Sequence, residues 1–382
     1  MNNEHADTKL FVLPICWTGL HARILGTRWR ELPPCDSPKS TVKRGDPPTQ
    51  GHLQPSRTIS ALSESLTEIL QPDAKDNSLC SAITTVLKIL WPKPFSELSQ
   101  RSKLHLYFRD RVYRDAVRVQ IMWNFLTDKS RSKSFRPVST CSADCFNTLA
   151  VDSSIYSQAP ANLPMLCYIG GSQIANRRRN LLRVLRGLEN NTGNEPGDRL
   201  RKLKAKLLVP SNSSHDAYLV GVFLAMAQKH FYPPPSVSSR RSSLLTKERT
   251  IPSGPNFQNI KLRILTHGTD TSDFIVYTGY VTKEFLEKFR NPSKRPRDSG
   301  EVELSGIRIE FTRVPIWPIL GLRERLGQAL GHDVVGHFSC NEIETWEKDP
   351  EKQERGKRKR GDPWKAKKRY FNGGALDQGA GM

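Results

Sequence analysis

The second half of the chain constrains the fold more than any other part. Residues 217–229 are apolar on nearly every side of a helix, so this helix must lie inside a core. Ser213 or Ser214 is expected to cap it. Residues 261–267 and 273–281 are rich in Ile, Val, Phe and Tyr, and turn residues separate them. This pattern predicts a β-hairpin.

The same half continues with alternating helix and strand signals. Thr282 is the expected N-cap of a helix over residues 283–290, and residues 307–311 alternate between apolar and polar as a strand does. Another helix is predicted over residues 319–330, ending at Gly331. The order helix, strand, strand, helix, strand, helix predicts an α+β fold, a small mixed sheet with packed helices.

The first half shows helical spacing. Residues 59–70 and 81–90 carry Leu and Ile at intervals that predict two short helices, and residues 181–188 predict a basic amphipathic helix. Residues 104–126 predict the longest helix of the chain, with one apolar stripe and charged residues facing water. The stripe consists of Leu104, Phe108, Val112, Ala116 and Val119, and the charged residues are Arg109, Asp110, Arg114, Asp115 and Arg118.

Composition divides the chain into a core with disordered, basic ends. Only 37% of the 382 residues are hydrophobic and 26 are proline, so long stretches are expected outside any packed interior. We expect residues 1–57 to be a disordered segment, residues 58–346 to form the α+β core, and residues 347–382 to be a basic disordered tail. Charged loop insertions are expected in the core near residues 130–142, 190–197, 236–257 and 291–300.

Charge and cysteine usage narrow the class of partner. The formal charge of +21 and the isoelectric point near 9.8 favour a polyanionic partner such as nucleic acid. The longest apolar run, residues 218–227, is too short to span a bilayer, and no signal peptide is expected, so no membrane partner is predicted. The 7 cysteines follow no regular framework, which indicates a reducing compartment.

Clusters of basic residues supply the candidate binding sites. A helix bearing arginines provides the charge that releases counterions from phosphates, so we predict nucleic-acid binding by Arg177, Arg178, Arg179, Arg183, Arg186, Arg201, Lys202, Lys204 and Lys206. Paired basic clusters in the tail predict recognition by an import receptor, and therefore a nuclear protein. These clusters are Lys357, Arg358, Lys359, Arg360, Lys365, Lys367, Lys368 and Arg369.

Segments of the second half resemble a group of proteins from filamentous fungi. The resemblance rests on residues 208–219, on Phe274-Ile275-Val276-Tyr277-Thr278 and on residues 312–327, and it covers about residues 207–346. That group has no established activity, so the resemblance implies no functional residue.

The motifs for catalysis are weak. A metal-dependent nuclease needs converging carboxylates beside the scissile phosphate, and Asp216, Asp273 and Glu310 are the candidates, but no Glu-x-Lys falls on a predicted strand. Adjacent Ser214-His215-Asp216 cannot form a relay and predicts a helix cap instead. Gly170-Gly171-Ser172 lacks the lysine of a phosphate loop. No cofactor and no metal site are predicted.

These observations favour a nuclear protein that binds nucleic acid or an acidic nuclear partner, as a binding or scaffolding component rather than an enzyme. A divergent metal-dependent nuclease and a protein–protein interaction module remain as alternatives. The sequence leaves open the specific partner, any sequence preference and the oligomeric state.

Overall fold

A central sheet organises the part of the chain that is described. The computed structural model describes residues 12–35, 56–96, 103–109, 111–125, 163–188, 199, 203, 205–232, 255–268, 271–292, 306–339, 343–344 and 346, with residues 182–188 as backbone only. The strands are β1 (Arg28–Glu31), β2 (Lys103–Phe108), β3 (Arg111–Arg118), β4 (Ile121–Asn124), β5 (Pro164–Tyr168), β6 (Ile260–His267), β7 (Asp273–Val281) and β8 (Arg308–Pro315). A 6-stranded sheet has the order β1-β8-β7-β6-β5-β4, and β2 and β3 form a separate hairpin.

The sheet is mixed. β1 pairs parallel with β8, and β5 pairs parallel with β6, whereas the remaining neighbours in the sheet are antiparallel. The helices are α1 (Gly19–Ile24), α2 (Arg57–Leu70), α3 (Asp76–Leu90), α4 (Gly171–Leu188), α5 (Ala217–Phe231), α6 (Lys283–Arg290), α7 (Leu322–Leu330) and α8 (His332–Val335), and a 3₁₀ turn spans Pro14–Cys16. The predicted α+β fold is therefore confirmed.

Helices cover both faces of the sheet. Successive residues of a strand point to opposite faces, so each strand contributes side chains to two apolar cores. Along β7, Ile275 and Tyr277 join an apolar cluster that contains α5 and the β2–β3 hairpin, which we call the first core. Phe274 and Val276 join the cluster formed with α2, α3 and α7, which we call the second core. At Gly279 of β7 an added Cβ would lie 2.5 Å from the ring of Phe223, so α5 approaches the sheet closely there.

Several local predictions are confirmed. The hairpin of β6 and β7 forms, with Lys261 opposite Tyr280 and His267 opposite Phe274. The Thr282 side chain accepts a hydrogen bond from the Phe285 amide and caps α6. The helices predicted at residues 59–70, 81–90 and 217–229 match α2, α3 and α5 closely. α7 ends at Gly331 as predicted, but it begins three residues later than predicted.

The predicted long helix over residues 104–126 is wrong. These residues form β2, β3 and β4. Their apolar positions also satisfy strand alternation in short runs, and Val112, Tyr113 and Val117 are types that favour strands. A spacing that fits a helix over the whole segment therefore did not decide between the two structures.

The prediction that residues 1–57 lie outside the core is wrong for residues 12–35. Trp17 and Ala22 are buried in the first core, and β1 extends the sheet by pairing with β8. The partners of β1 are nearly 300 positions away in the sequence, so local composition carried no sign of this pairing. Residues 1–11 and 36–55 lie outside the described residues.

The charged insertions fall mostly on residues that are not described. This holds for residues 130–142 and 190–197, for most of 236–257 and 291–300, and for the tail, residues 347–382. Phe257, at the end of one predicted insertion, is buried in the first core against Phe231. That insertion therefore ends before Phe257.

Candidate nucleic-acid interface

The buried side of α4 holds one of the predicted nucleic-acid-binding arginines. Arg178 is only 7% exposed, and its two terminal nitrogens donate to the two carboxylate oxygens of Asp216 at 2.7 Å each. Its Nε also donates to the carbonyl of Ile15 at 3.2 Å. The prediction for Arg178 is wrong, because the helical period turns this side chain inward while its neighbours face outward.

Asp216 has a structural role in this pair. It is the N-cap of α5, where its side chain accepts a hydrogen bond from the Tyr218 amide at 2.9 Å. The predicted cap at Ser213 or Ser214 is therefore displaced to Asp216, since both serines lie in a separate 3₁₀ turn. The ion pair joins α4, the start of α5 and the N-terminal turn in one buried contact.

The outer side of α4 keeps two of the predicted arginines at the surface. Arg177 donates to the carbonyl of Arg118 and to the Tyr218 hydroxyl, so α4 is fixed to the end of β3. Arg179 is exposed and donates to the Asn176 side chain. Lys206 is also exposed. The remaining predicted side chains lie outside the described residues: Arg183, Arg186, Arg201, Lys202 and Lys204.

The β2–β3 hairpin is held firmly against α5. Leu104 and Leu106 of β2 are buried in the first core. The Gln228 side-chain amide bonds both backbone groups of Tyr107, at 2.8 Å each, much as a neighbouring strand would. The Arg109 amide, at the hairpin tip, donates to the carbonyl of Phe289 at 2.8 Å. Strand β3 is left as the outer strand of a preorganised hairpin.

A bulge shapes the middle of β3. The register shifts between Leu104 and Leu106, and Asp115 adopts a left-handed backbone with φ 54°. The Asp115 amide donates to Nδ1 of His105 at 3.0 Å, and the Asp115 carboxylate lies 3.3 Å from Nζ of Lys103. Burial lowers the pKa of His105, in keeping with a neutral ring that accepts this bond. At the bulge, the Asp115 carboxylate is therefore paired with Lys103 of β2.

Arginines of β3 and α4 lie on adjoining elements, since Arg177 donates to the carbonyl of Arg118, and we call this set of arginines the basic belt. It consists of Arg109, Arg111, Arg114 and Arg118 of the hairpin and Arg177 and Arg179 of α4. All are exposed except Arg177, which is half-buried. None of them forms an ion pair with a carboxylate within the described ranges. From Arg111 to Arg118 the belt extends about 20 Å at the rise of a strand.

A second cationic surface on the sheet is partly neutralised. Lys261, Tyr280 and Arg308 lie side by side across β6, β7 and β8, and the Arg308 guanidinium stands 4.2 Å from the Tyr280 ring centre. Glu310 lies 3.9 Å from both Arg308 and Arg30. Partial burial, the Glu310 charge and a hydrogen bond to it raise the pKa of Tyr280. Glu310 therefore offsets part of the positive charge of this surface.

The carboxylates proposed for a nuclease do not converge. Asp216 is paired with Arg178 on the first-core side of the sheet. Glu310 alternates with Ile309 and Phe311 of the first core and therefore points to the opposite face. Asp273 lies opposite Pro315, at the other end of β8 from Glu310, about 17 Å away along the strand. These residues cannot hold one metal ion together.

Among the described residues, no group of three or more His, Cys, Asp or Glu side chains could hold a metal ion. His332 and His337 do stack, with ring centres 5.8 Å apart, but His332 Nδ1 is engaged with the Gly336 carbonyl. Within the same ranges, no helix is long and apolar enough to cross a bilayer.

No family model, no curated protein and no solved structure matches this chain. The resemblance to filamentous-fungal proteins therefore stays a prediction.

Sequence reasoning missed the hairpin half of the belt. It placed Arg109, Arg114 and Arg118 on the water-facing side of a helix, interleaved with Asp110 and Asp115 as ion-pair partners. The available signal for strands was the content of aromatic and β-branched residues, such as Tyr107, Phe108 and Val112, whereas Arg109-Asp110 is not a dipeptide typical of hairpin turns. No sequence pattern, however, joins β3 to α4, since Arg118 and Arg177 are 59 positions apart.

Proposed function

We propose that this protein binds nucleic acid through the basic belt and acts as a binding or scaffolding component in the nucleus. The observation that carries the proposal is a set of arginines on two adjoining elements, β3 and α4, that form no ion pair with a described carboxylate. Unpaired, closely spaced cations raise the local potential, and contact with phosphates releases condensed counterions.

The shape of the belt favours a duplex. A two-stranded ribbon fits the major groove of DNA, and proteins that use one present side chains from its exposed strand. Arg111 and Arg118 project from opposite faces of such a strand, opposite Phe108 and Lys103, while Arg177 stands beside its end. A span of about 20 Å corresponds to about six base pairs at 3.4 Å each. The hairpin is already fixed by Gln228 and Phe289, so little ordering entropy opposes binding.

The tail supports the nuclear location. Its two lysine- and arginine-rich clusters, residues 357–360 and 365–369, have the composition that import receptors bind in acidic grooves. The same clusters add cations that can contact phosphates once the belt is engaged.

The test is a salt titration of DNA binding by two matched variants. The belt variant carries Arg111→Ala, Arg114→Ala and Arg118→Ala. The control carries Lys75→Ala, Lys88→Ala and Lys93→Ala, which removes as many exposed charges from the α3 side of the molecule. Fluorescence anisotropy with a short labelled duplex gives the slope of log K against log salt, and circular dichroism confirms that both variants fold.

We expect the belt variant to lower the magnitude of that slope by about 2.7, since each phosphate that an arginine neutralises adds about 0.9 to it. At 0.1 M salt the same counterion effect amounts to about 500-fold in affinity. The control variant should bind like the wild type. Equal weakening in both variants would show that only net charge matters, and wild-type binding by the belt variant would refute the assignment.

A further inference from the structure

Strand β1 leaves one edge of the 6-stranded sheet open. It comes first in the strand order, so β8 is its only neighbour among the described strands. The Arg28 amide donates to the carbonyl of Ile307 at 2.9 Å, and the Leu32 amide donates to the carbonyl of Phe311 at 2.8 Å. The backbone groups of residues 28, 30 and 32 therefore face β8.

The residues between them, Trp29 and Glu31, present their backbone groups to the open side. Backbone groups of successive residues in a strand point to alternate edges. Neither amide donates a hydrogen bond within the described part of the chain. Arg28, Arg30 and Glu31 are exposed and Trp29 is half-buried, so the strand is not covered. Two amides and two carbonyls are thus open to a further strand.

The side chains on one face of this edge are cationic. Trp29 packs against the first core, so Arg28 and Arg30 point to the other face of the sheet. The Arg30 side chain is 70% exposed, and its contact with Glu310 is 3.9 Å long. An exposed pair of this kind contributes little, which leaves Arg30 able to bind a further carboxylate. A strand added beside β1 would place every second side chain next to these arginines.

The other face of the edge is apolar at Trp29. The indole ring stacks on His215, with ring centres 5.1 Å apart, and remains half-buried. Its exposed part can contact an apolar side chain of an added strand. A strand that alternates acidic and apolar residues therefore matches both faces of the edge.

Two other occupants fit the edge less well. Antiparallel pairing with β1 of a second copy would bring Arg28 and Arg30 of the two chains together, and like charges on paired strands are destabilising. Phosphates of a nucleic acid can accept hydrogen bonds from the two amides, but they offer no donor to the two carbonyls.

We propose that the open edge of β1 binds an extended acidic segment of another protein by strand addition, with carboxylates beside Arg28 and Arg30 and apolar side chains beside Trp29. Main-chain hydrogen bonds supply affinity in this mode of binding, and alternate side chains supply specificity. The proposal goes beyond nucleic-acid binding at the basic belt and does not depend on it.

The test uses the full-length protein and two labelled peptides of the same composition. In Ser-Glu-Val-Glu-Val-Glu-Ser the acidic and apolar residues alternate, whereas in Ser-Val-Val-Glu-Glu-Glu-Ser they are segregated. Fluorescence anisotropy gives both affinities. Hydrogen exchange followed by NMR reports directly on the Trp29 and Glu31 amides.

Three variants identify the edge. Glu31→Pro removes one amide from the open side, where proline is tolerated because β1–β8 pairing does not use that amide. Glu31→Ala is its matched control, since it removes the same side chain and keeps the amide. Arg30→Glu reverses the charge on the cationic face. Circular dichroism and melting temperatures show whether each variant folds.

We expect the alternating peptide to bind and to slow exchange of both amides, and the segregated peptide to bind about fivefold more weakly. Glu31→Pro should weaken the alternating peptide by about fivefold, the effect of one lost hydrogen bond, and Glu31→Ala should bind it like the wild type. Arg30→Glu should weaken it by about two- to fivefold. Exchange in the wild type and the Arg30→Glu result decide the question if Glu31→Pro does not fold.

Equal affinity for the two peptides overturns the proposal, because charge alone would then suffice, and so does unchanged exchange of the two amides. A duplex that Arg30→Glu weakens and Glu31→Pro does not, without peptide binding, would identify a phosphate contact instead. Dimers in sedimentation that Glu31→Pro abolishes would identify a second copy as the occupant. The belt variant should bind the alternating peptide like the wild type, so this result is independent of the proposed function.

Discussion

The buried pair of Arg178 and Asp216 makes a sharp prediction about stability. Replacing Asp216 with serine keeps a residue that caps a helix well and removes the negative charge. The Arg178 guanidinium, 7% exposed, then stays buried with only the Ile15 carbonyl as a described partner. Replacing Asp216 with alanine removes the cap as well.

The magnitude follows from the environment of the pair. Removing one partner of a buried ion pair lowers the free energy of unfolding by about 3 to 5 kcal/mol, and removing an N-cap lowers it by about 1 kcal/mol. Asp216→Ser should therefore lower the free energy of unfolding by about 3 to 5 kcal/mol, and Asp216→Ala by about 1 kcal/mol more. The double variant Arg178→Met with Asp216→Ser should recover much of this stability, because an apolar side chain needs no counter-charge there.

Urea unfolding at neutral pH, followed by tryptophan fluorescence, gives these free energies for all four proteins. The assignment of a strongly stabilising buried pair is refuted if Asp216→Ser costs less than about 1 kcal/mol, since the pair would then contribute no more than an exposed one. It also fails if the double variant is less stable than Asp216→Ser, because the two effects would then add as independent sites do.

Other consequences can be measured separately. Burial lowers the pKa of His21, His105, His215, His230 and His267 below the ordinary 6.5, so the unfolded chain binds more protons in acid. The stability that these neutral histidines contribute is fully present above pH 6.5 and is lost as the pH falls toward their folded pKa values. Urea midpoints that do not move between pH 7.5 and pH 5 would contradict this. Gly279→Ala should lower the free energy of unfolding by about 1 to 3 kcal/mol, because the new Cβ meets the Phe223 ring at 2.5 Å. Gly19→Ala, whose Cβ meets nothing within 4 Å, should not destabilise the protein. Equal unfolding midpoints for the two variants would contradict this prediction. Alanine at every lysine and arginine of the two tail clusters should leave a fluorescent fusion in the cytoplasm, and a nuclear signal that persists would refute the import signal.

Local sequence patterns predicted the parts of the fold that depend on near neighbours. The all-apolar face of α5, the alternation of β6 and β7 and the Thr282 cap each reflect burial or bonding within a few residues. The failures lie where short runs fit two periods, as in residues 104–126, or where the partner is distant, as for β1 and β8.

The candidate site divides in the same way. Arg177 and Arg179 were predicted from the basic run in which they lie, and both reach the surface. Arg178, one residue away from each, was predicted with them and is buried against Asp216. A cluster of like charges in the sequence shows how much charge the segment carries. The helical period and the packing of α4 decide which of these charges face water.

The sequence alone determined the net positive charge, the α+β class and the position of the most apolar helix, because these follow from composition and from spacing over a few residues. Only the tertiary structure decided that α4 contacts the end of β3 through Arg177 and Arg118, and that Asp216 neutralises Arg178. Those relations join residues far apart in the chain, and they form only when burial of both cores brings the strands and helices together.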